Sequence, residues 1–210
     1  MPRTISEETR QATRDRILRE AASEFAQLGF EQANINTIAE RAGIGKGTIY
    51  LYFSSKRDLF IAMLQAIAQR QIDAARKALK SADTLQAQLE ALFLAFVHLA
   101  TEDADGFHVY MSALYGVNRA FQDEAVNLLR EYVALIGEAL DQGAKAVARA
   151  NLDASALFVL SATESFVLSA RVLGYSEQRL TALAPLAAKL TLQGLENSNS
   201  LTPSYSGPPE

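Results

Sequence analysis

The sequence predicts an all-α protein, and three features predict it. Four of its five prolines, Pro2, Pro203, Pro208 and Pro209, lie at the chain ends, leaving only Pro185 in the interior. Asn-Gly and Asp-Gly turns are nearly absent and no long Val/Ile/Thr alternation appears, which argues against hairpins and β-sandwiches. Apolar residues recur instead at spacings of three and four, the period of an amphipathic helix. With 210 residues, 49% hydrophobic and 21% charged, the chain has enough apolar material for a sizeable core.

The elements follow in order. A first helix is expected over about residues 9–28, with Ile17, Leu18, Ala21, Ala22 and Phe25 as its stripe and Gly29 just beyond its end. Asn34 then caps a short helix that turns Ile35, Ile38, Ala39 and Ala42 inward, and Gly43 ends it. A third short helix covers about residues 46–53. Ser55 caps a fourth, with Asp58 at the third helical position, and this helix runs to about Leu79. Thr84 caps a helix carrying Leu85, Leu89, Leu92, Phe96 and Leu99; a break is expected at residues 103–106, then a shorter helix with Val109, Tyr110, Met111 and Leu114. Residues 119–142 space Val126, Leu129, Val133, Ile136 and Leu140 by three and four. Asp153 opens a helix that stops before Gly174, and the last spans about residues 176–195, kinked or restarted at Pro185. About nine helices are expected, with a disordered tail over 196–210 rich in Ser, Asn, Pro and Gly.

Composition excludes several kinds of chemistry. With no cysteine, disulfide scaffolds, cysteine-ligated zinc, iron–sulfur clusters and thiol nucleophiles fall away. Only His98 and His108 offer imidazoles, and no third ligand or HExxH motif accompanies them, so no metal site is expected and a structural or pocket-lining role is favoured. The longest apolar run, Ala91 to Val97, is far short of the roughly 20 residues that span a bilayer. No apolar signal segment opens the sequence, and a cytoplasmic home without membrane contact is expected. The net charge of −4 does not suggest a nucleic-acid binder, but residues 1–60 hold nine Lys/Arg against eight Asp/Glu and the acidic excess lies beyond them. A small cationic face on an acidic body fits that asymmetry.

The chemistry-bearing segment is 34–59. Two short helices flank a tight glycine turn, with Ile38, Ala39, Ile44 and Ile49 spaced to pack on one another. Ala39 is small where two helices cross closely, and Gly43 permits a left-handed turn. This is a helix-turn-helix, whose second helix enters the DNA major groove. Lys46, Thr48, Tyr50 and Leu51 are left for its outward face. Look-alikes fail on spacing: Gly43-x-Gly45-Lys46-Gly47-Thr48 lacks the phosphate-loop interval and a preceding strand, and Asp103-x-Asp105-Gly106 places its glycine too early for a calcium loop.

These words resemble the TetR (tetracycline-repressor-like) family of bacterial transcriptional regulators. The matching stretches are Thr37-Ile38-Ala39-x-x-Ala42-Gly43-Ile44, Lys46-Gly47-Thr48-Ile49-Tyr50-x-Tyr52-Phe53 and Ser55-Lys56-x-Asp58-Leu59, preceded by Phe25-x-x-x-Gly29-Phe30. The resemblance covers about residues 10–65 in detail. It implies DNA contacts from Asn34 and Asn36, from Lys46, Thr48, Tyr50 and Tyr52 on the recognition helix, and from Lys56 to a backbone phosphate, a role that suits a Lys at a helix N-terminus. Gly45 departs from the pattern, since the family often caps this helix with a side chain there; DNA shape then supplies part of the specificity.

The expected organisation is a DNA-binding domain over 1–60, with the fourth helix linking to a ligand-binding and dimerisation domain over 61–195. The resemblance implies a homodimer on a palindromic operator, pairing through two helices per subunit: one carrying Leu157, Leu160, Ser161, Glu164, Leu168 and Arg171, the other Leu183, Ala187, Leu190 and Gly194. Large apolar side chains are dense over 85–175. Phe93, Phe96, His98, Met111, Tyr115, Phe121, Glu164 and Phe166 are the candidate ligand contacts, for a small hydrophobic or aromatic effector with few polar groups and not a phosphorylated one. The leading reading is a repressor that such an effector releases from DNA. A regulator governed by a protein partner is the alternative. A helical-bundle enzyme finds no support, since no catalytic set, cofactor motif or dinucleotide fingerprint is present.

Overall fold

The computed structural model describes residues 6–116, 121–143 and 152–197. Among them it is all helix: α1 (Glu7–Gln32), α2 (Ile35–Arg41), α3 (Lys46–Tyr52), α4 (Lys56–Leu79), α5 (Leu85–Glu102), α6 (Ala104–Tyr115), α7 (Gln122–Gly143), α8 (Leu152–Val172) and α9 (Glu177–Asn197). The expected start of the seventh helix at 119 and the tail from 198 onward lie outside the described residues, while Glu196 and Asn197 belong to α9.

Local chemistry sets the ends. The chain enters α1 at Ser6, whose hydroxyl accepts from the Thr9 amide at 3.2 Å, and Glu7 and Glu8 sit in the first turn where the helix dipole favours acids. The helix therefore starts before the expected Thr9. At Gly29 the backbone takes φ 71°, ψ 172°, a region open essentially to glycine alone. One further turn follows, to Gln32. Ser55 caps α4 through the Asp58 amide at 3.0 Å and Thr84 caps α5 through the Ala87 amide at 3.3 Å. The break before α6 shrinks to Asp103, which accepts from the Gly106 amide at 2.9 Å; residues 104–106 form the first helical turn rather than a loop. Pro185 does not restart the last helix, and α9 runs through it.

Packing divides the described residues into two compact units, one within 1–70 and 102–129, the other within 71–101 and 130–210. A cut at residue 60 differs from this because α6 packs on α1 and Phe121 joins the rings of Phe30 and Phe60, with centroids 4.7 and 4.3 Å away. The first unit buries Ile17, Phe25, Ile38, Ile49, Leu59, Met63 and Leu64. The second buries Leu89, Leu92, Phe93, Phe96, Ile136, Leu140, Val159 and Val167. In it the Phe93 ring meets Phe166 edge-on at 5.5 Å, and Phe96 stacks on Tyr132 at 5.8 Å. By length and composition Leu152–Val172 passes for a membrane span, but one of its sides buries Ser155, Thr163 and Glu164.

Gly29→Ala is expected to lower the unfolding free energy by about 1–3 kcal/mol, because the new Cβ is strained in that backbone region. Gly47→Ala, inside α3 with open space around it, should raise it by about 0.5–1 kcal/mol. Urea unfolding of the two variants checks both signs.

Candidate nucleic-acid interface

Everything in the interface belongs to the first unit. The carboxylate of Glu24, on α1 and only 2% exposed, accepts the backbone N–H of Asn34 at 3.1 Å and pairs with Arg41 at 3.3 Å. Asn34 precedes α2 and Arg41 ends it, so one buried carboxylate holds both ends of this helix. The Asn34 side chain in turn accepts from the Asn36 amide at 2.9 Å.

The turn after α2 is a Schellman motif. Gly43 has φ 64°, its amide donates to the Glu40 carbonyl at 3.0 Å and the Ile44 amide to that of Ala39 at 3.0 Å. α3 then starts at Gly45 with no side-chain cap. Along α3 only Ile49 is buried, at 1% exposure, against α2 with its buried Ile38 and Ala39. Rigid inward packing of one residue turns the rest of the helix outward: Lys46, Gly47, Tyr50 and Leu51 are exposed and Thr48 and Tyr52 half-buried. A short helix with an outward polar and aromatic face, behind a glycine turn, is a groove-reading element.

Residues 17–63 match the family described as bacterial regulatory proteins, tetR family. This is a TetR-type DNA-binding domain. Among known proteins, the chain is similar to the HTH-type transcriptional activator FasR of Mycolicibacterium smegmatis, 31% identical over 48% of this chain and 46% of that one; the match thus spans about half of that regulator. It is 24% identical to the fatty acid metabolism regulator protein of Bacillus subtilis, over 86% of this chain and 94% of that one. The structure of the regulator FadR from Bacillus subtilis in complex with stearoyl-CoA has the same fold, with TM-score 0.73 at 20% identity, covering 86% of this chain and 98% of that one.

The TetR-type domain brings its candidate DNA contacts onto one short stretch of chain, but not all are equally presented. Asn36, Lys46 and Tyr50 are exposed. Asn34 is exposed too, yet its side-chain carbonyl is engaged as a cap. The Tyr52 ring lies 6.3 Å from that of Phe53. Lys56 is half-buried, donates to the Glu31 carbonyl at 2.9 Å and lies 5.0 Å over the Phe30 ring. One of its three ammonium donors is therefore used within the protein. Arg57 similarly covers the Phe121 ring at 4.8 Å and pairs with Glu124 at 2.9 Å.

The candidate ligand contacts fall in both units. In the second, Phe93, Phe96 and Glu164 are buried, Phe166 is half-buried, and His98 is exposed with Nδ1 3.3 Å from Glu177. In the first, Met111 and Phe121 are buried and Tyr115 is 61% exposed. His98 therefore stands at the surface of its unit rather than inside it. No three His, Cys, Asp or Glu side chains cluster to hold a metal among the described residues.

Sequence reasoning missed Glu24 and Arg41, which carry the geometry of the reading head. The signal was present: Ile17, Ala21 and Glu24 fall at i, i+4 and i+7, so the acid sits in the buried stripe. It also missed Ser54, whose hydroxyl donates to Asp58. That hydrogen bond, with the one from Ser55, lowers the Asp58 carboxyl below its ordinary value of 3.8. A depressed folded value means stability that is full above 3.8 and lost as pH falls through the folded value.

Two outcomes are expected. Glu24→Gln should cost about 1–3 kcal/mol in urea unfolding, for leaving the Asn34 N–H and Arg41 without their charged acceptor, moderated because Arg41 is 38% exposed. Asp58→Asn should be less stable than the parent at neutral pH, and the gap should close as pH falls below 3.8.

Proposed function

We propose that the protein is a sequence-specific DNA-binding transcription regulator. In this reading it works in the cytoplasm as a homodimer on a palindromic operator, and a small hydrophobic effector releases it as a repressor. The observation that carries the proposal is α3 itself: Ile49 locks one side into the head while Lys46, Thr48 and Tyr50 project from the other, inside a domain of the TetR type. With nine Lys/Arg against eight Asp/Glu in residues 1–60, affinity comes from a few placed contacts and not from bulk charge.

Dimerisation is supported by an apolar face that the second unit leaves open. Leu157, Phe158, Leu168 and Val172 on α8, and Leu186 and Leu190 on α9, are all at least 41% exposed, and α8 packs beside α9. Gly194 lies against the Phe158 ring, where a Cβ would approach it to 3.7 Å. Exposed apolar side chains on two neighbouring helices are what a partner subunit would cover, which supports this reading. The stripe differs from the expected one on α8: Leu160 and Glu164 are buried, because the core takes the neighbouring side of the helix, and Phe158 joins the open face in their place.

For the effector, the FadR complex supplies a chemistry to test. Stearoyl-CoA joins a long apolar chain to a phosphorylated headgroup, and the composition of residues 85–175 speaks for the apolar part alone. Long-chain acyl compounds should therefore release the protein from DNA, and coenzyme A without an acyl chain should not. A gel-shift screen decides this; release by coenzyme A alone would refute the reading.

On DNA, Lys56→Ala should weaken binding to all sequences alike and reduce the salt slope by about 1, and Tyr50→Ala should cost about 1–3 kcal/mol on the operator. Fluorescence anisotropy against salt separates the two. Light scattering should give a dimer for the parent and a monomer for the double variant Leu168→Arg, Leu190→Arg.

A further inference from the structure

A cleft of about 210 Å³ opens within the first unit, apart from the outward face of α3. Its apolar wall is made by Phe25 and Phe30 of α1, Phe60 of α4 and Phe121 just before α7. Phe25, Phe60 and Phe121 are almost fully buried and fixed by edge-on and tilted contacts with centroids 4.3–5.3 Å apart. Its polar edge is made by His108 and Ser112, one turn apart on α6 and both exposed. Neither side chain has a hydrogen-bond partner among the described residues. Each can donate or accept.

We propose that this cleft binds a small neutral aromatic molecule bearing one hydroxyl or ring N–H. The size fits, since an enclosed apolar cavity of about 150 Å³ accommodates benzene and this one holds a one- or two-ring compound. The wall fits, since fixed aromatic rings receive another ring edge-on or offset. Charge and desolvation together select a neutral guest. Lys56 and Arg57 stand over the Phe30 and Phe121 rings and disfavour a cation. Glu124, paired with Arg57 at 2.9 Å, cancels only one of these two charges; an anion is disfavoured instead by the loss of its hydration against the aromatic wall. The lining is drawn from α1, α4 and α6, so a bound guest would bridge the helix that carries Glu24 to the two helices packed behind it. The proposal does not depend on the DNA-binding reading.

The chain has only two histidines, and they fall in different units: His108 in the first and His98 in the second. Their imidazole proton resonances separate the two by NMR. Titrating the full-length protein with indole should move the His108 signal saturably and leave that of His98 in place. Benzoate should bind more weakly. Ser112→Phe and Ala26→Leu, each filling the cleft from a different helix, should abolish the indole response while leaving the His98 signal and the urea midpoint near the parent values. No saturable shift at His108, equal shifts at both histidines, tighter binding of benzoate than of indole, or an indole response surviving in both cleft-filling variants that fold would each overturn the proposal. If one filling variant fails to fold, the other decides.

Discussion

The reading head depends on one buried charge. Glu24 is almost without solvent, and a carboxylate in that position is costly unless its oxygens are occupied. They are occupied by the Asn34 amide and the Arg41 guanidinium, the two ends of α2. A helix of seven residues has too few internal hydrogen bonds to persist alone. Here the requirement of the carboxylate becomes the restraint on the helix. Because α2 in turn supplies the surface on which Ile49 rests, the orientation of α3 follows from an acid on α1 whose bonds go to the two ends of α2.

The aromatic cluster behind the head works by shape. Gly29 redirects the last turn of α1 and brings Phe30 against Phe60 and Phe121. The cations Lys56 and Arg57 then cover ring faces in that cluster, an attraction that also fixes the first turn of α4. The same two side chains are thus part of the packing before they are part of any electrostatic surface. Lys56 therefore has fewer donors to offer than an unattached lysine.

The helices and most of their caps were legible because their causes are local. Asn34, Ser55 and Thr84 each satisfy amides within three residues, and Gly43 is required by the hydrogen bonds of its own turn. The exposed positions of α3 were legible because Ile49 is the one apolar residue that the spacing turns inward. What escaped involved partners distant in sequence. Glu24 meets Asn34 and Arg41, ten and seventeen residues further along the chain. Lys56 and Arg57 lie over the rings of Phe30 and Phe121, both distant in sequence. The side of α8 that faces the core could not be chosen from its own sequence, since Leu157 and Leu160 are equally apolar and only the packing decides between them. Packing likewise places residues 102–129 with the N-terminal unit, although no motif joins them to it.

The uncapped start of α3 has a consequence for the energetics of recognition. Gly45 offers no side chain to the first amides of the helix, and only Ile49 anchors it inward. α3 should accordingly open locally at a free energy below that of global unfolding, its amides exchanging ahead of those of α1. Ordering it on a DNA groove would then be part of the binding reaction. Association with a matched site would carry a more negative heat-capacity change than rigid docking gives, and a mismatched site, which leaves α3 partly loose, would forgo it. Discrimination between DNA sequences would therefore vary with temperature even where no contact to a base changes.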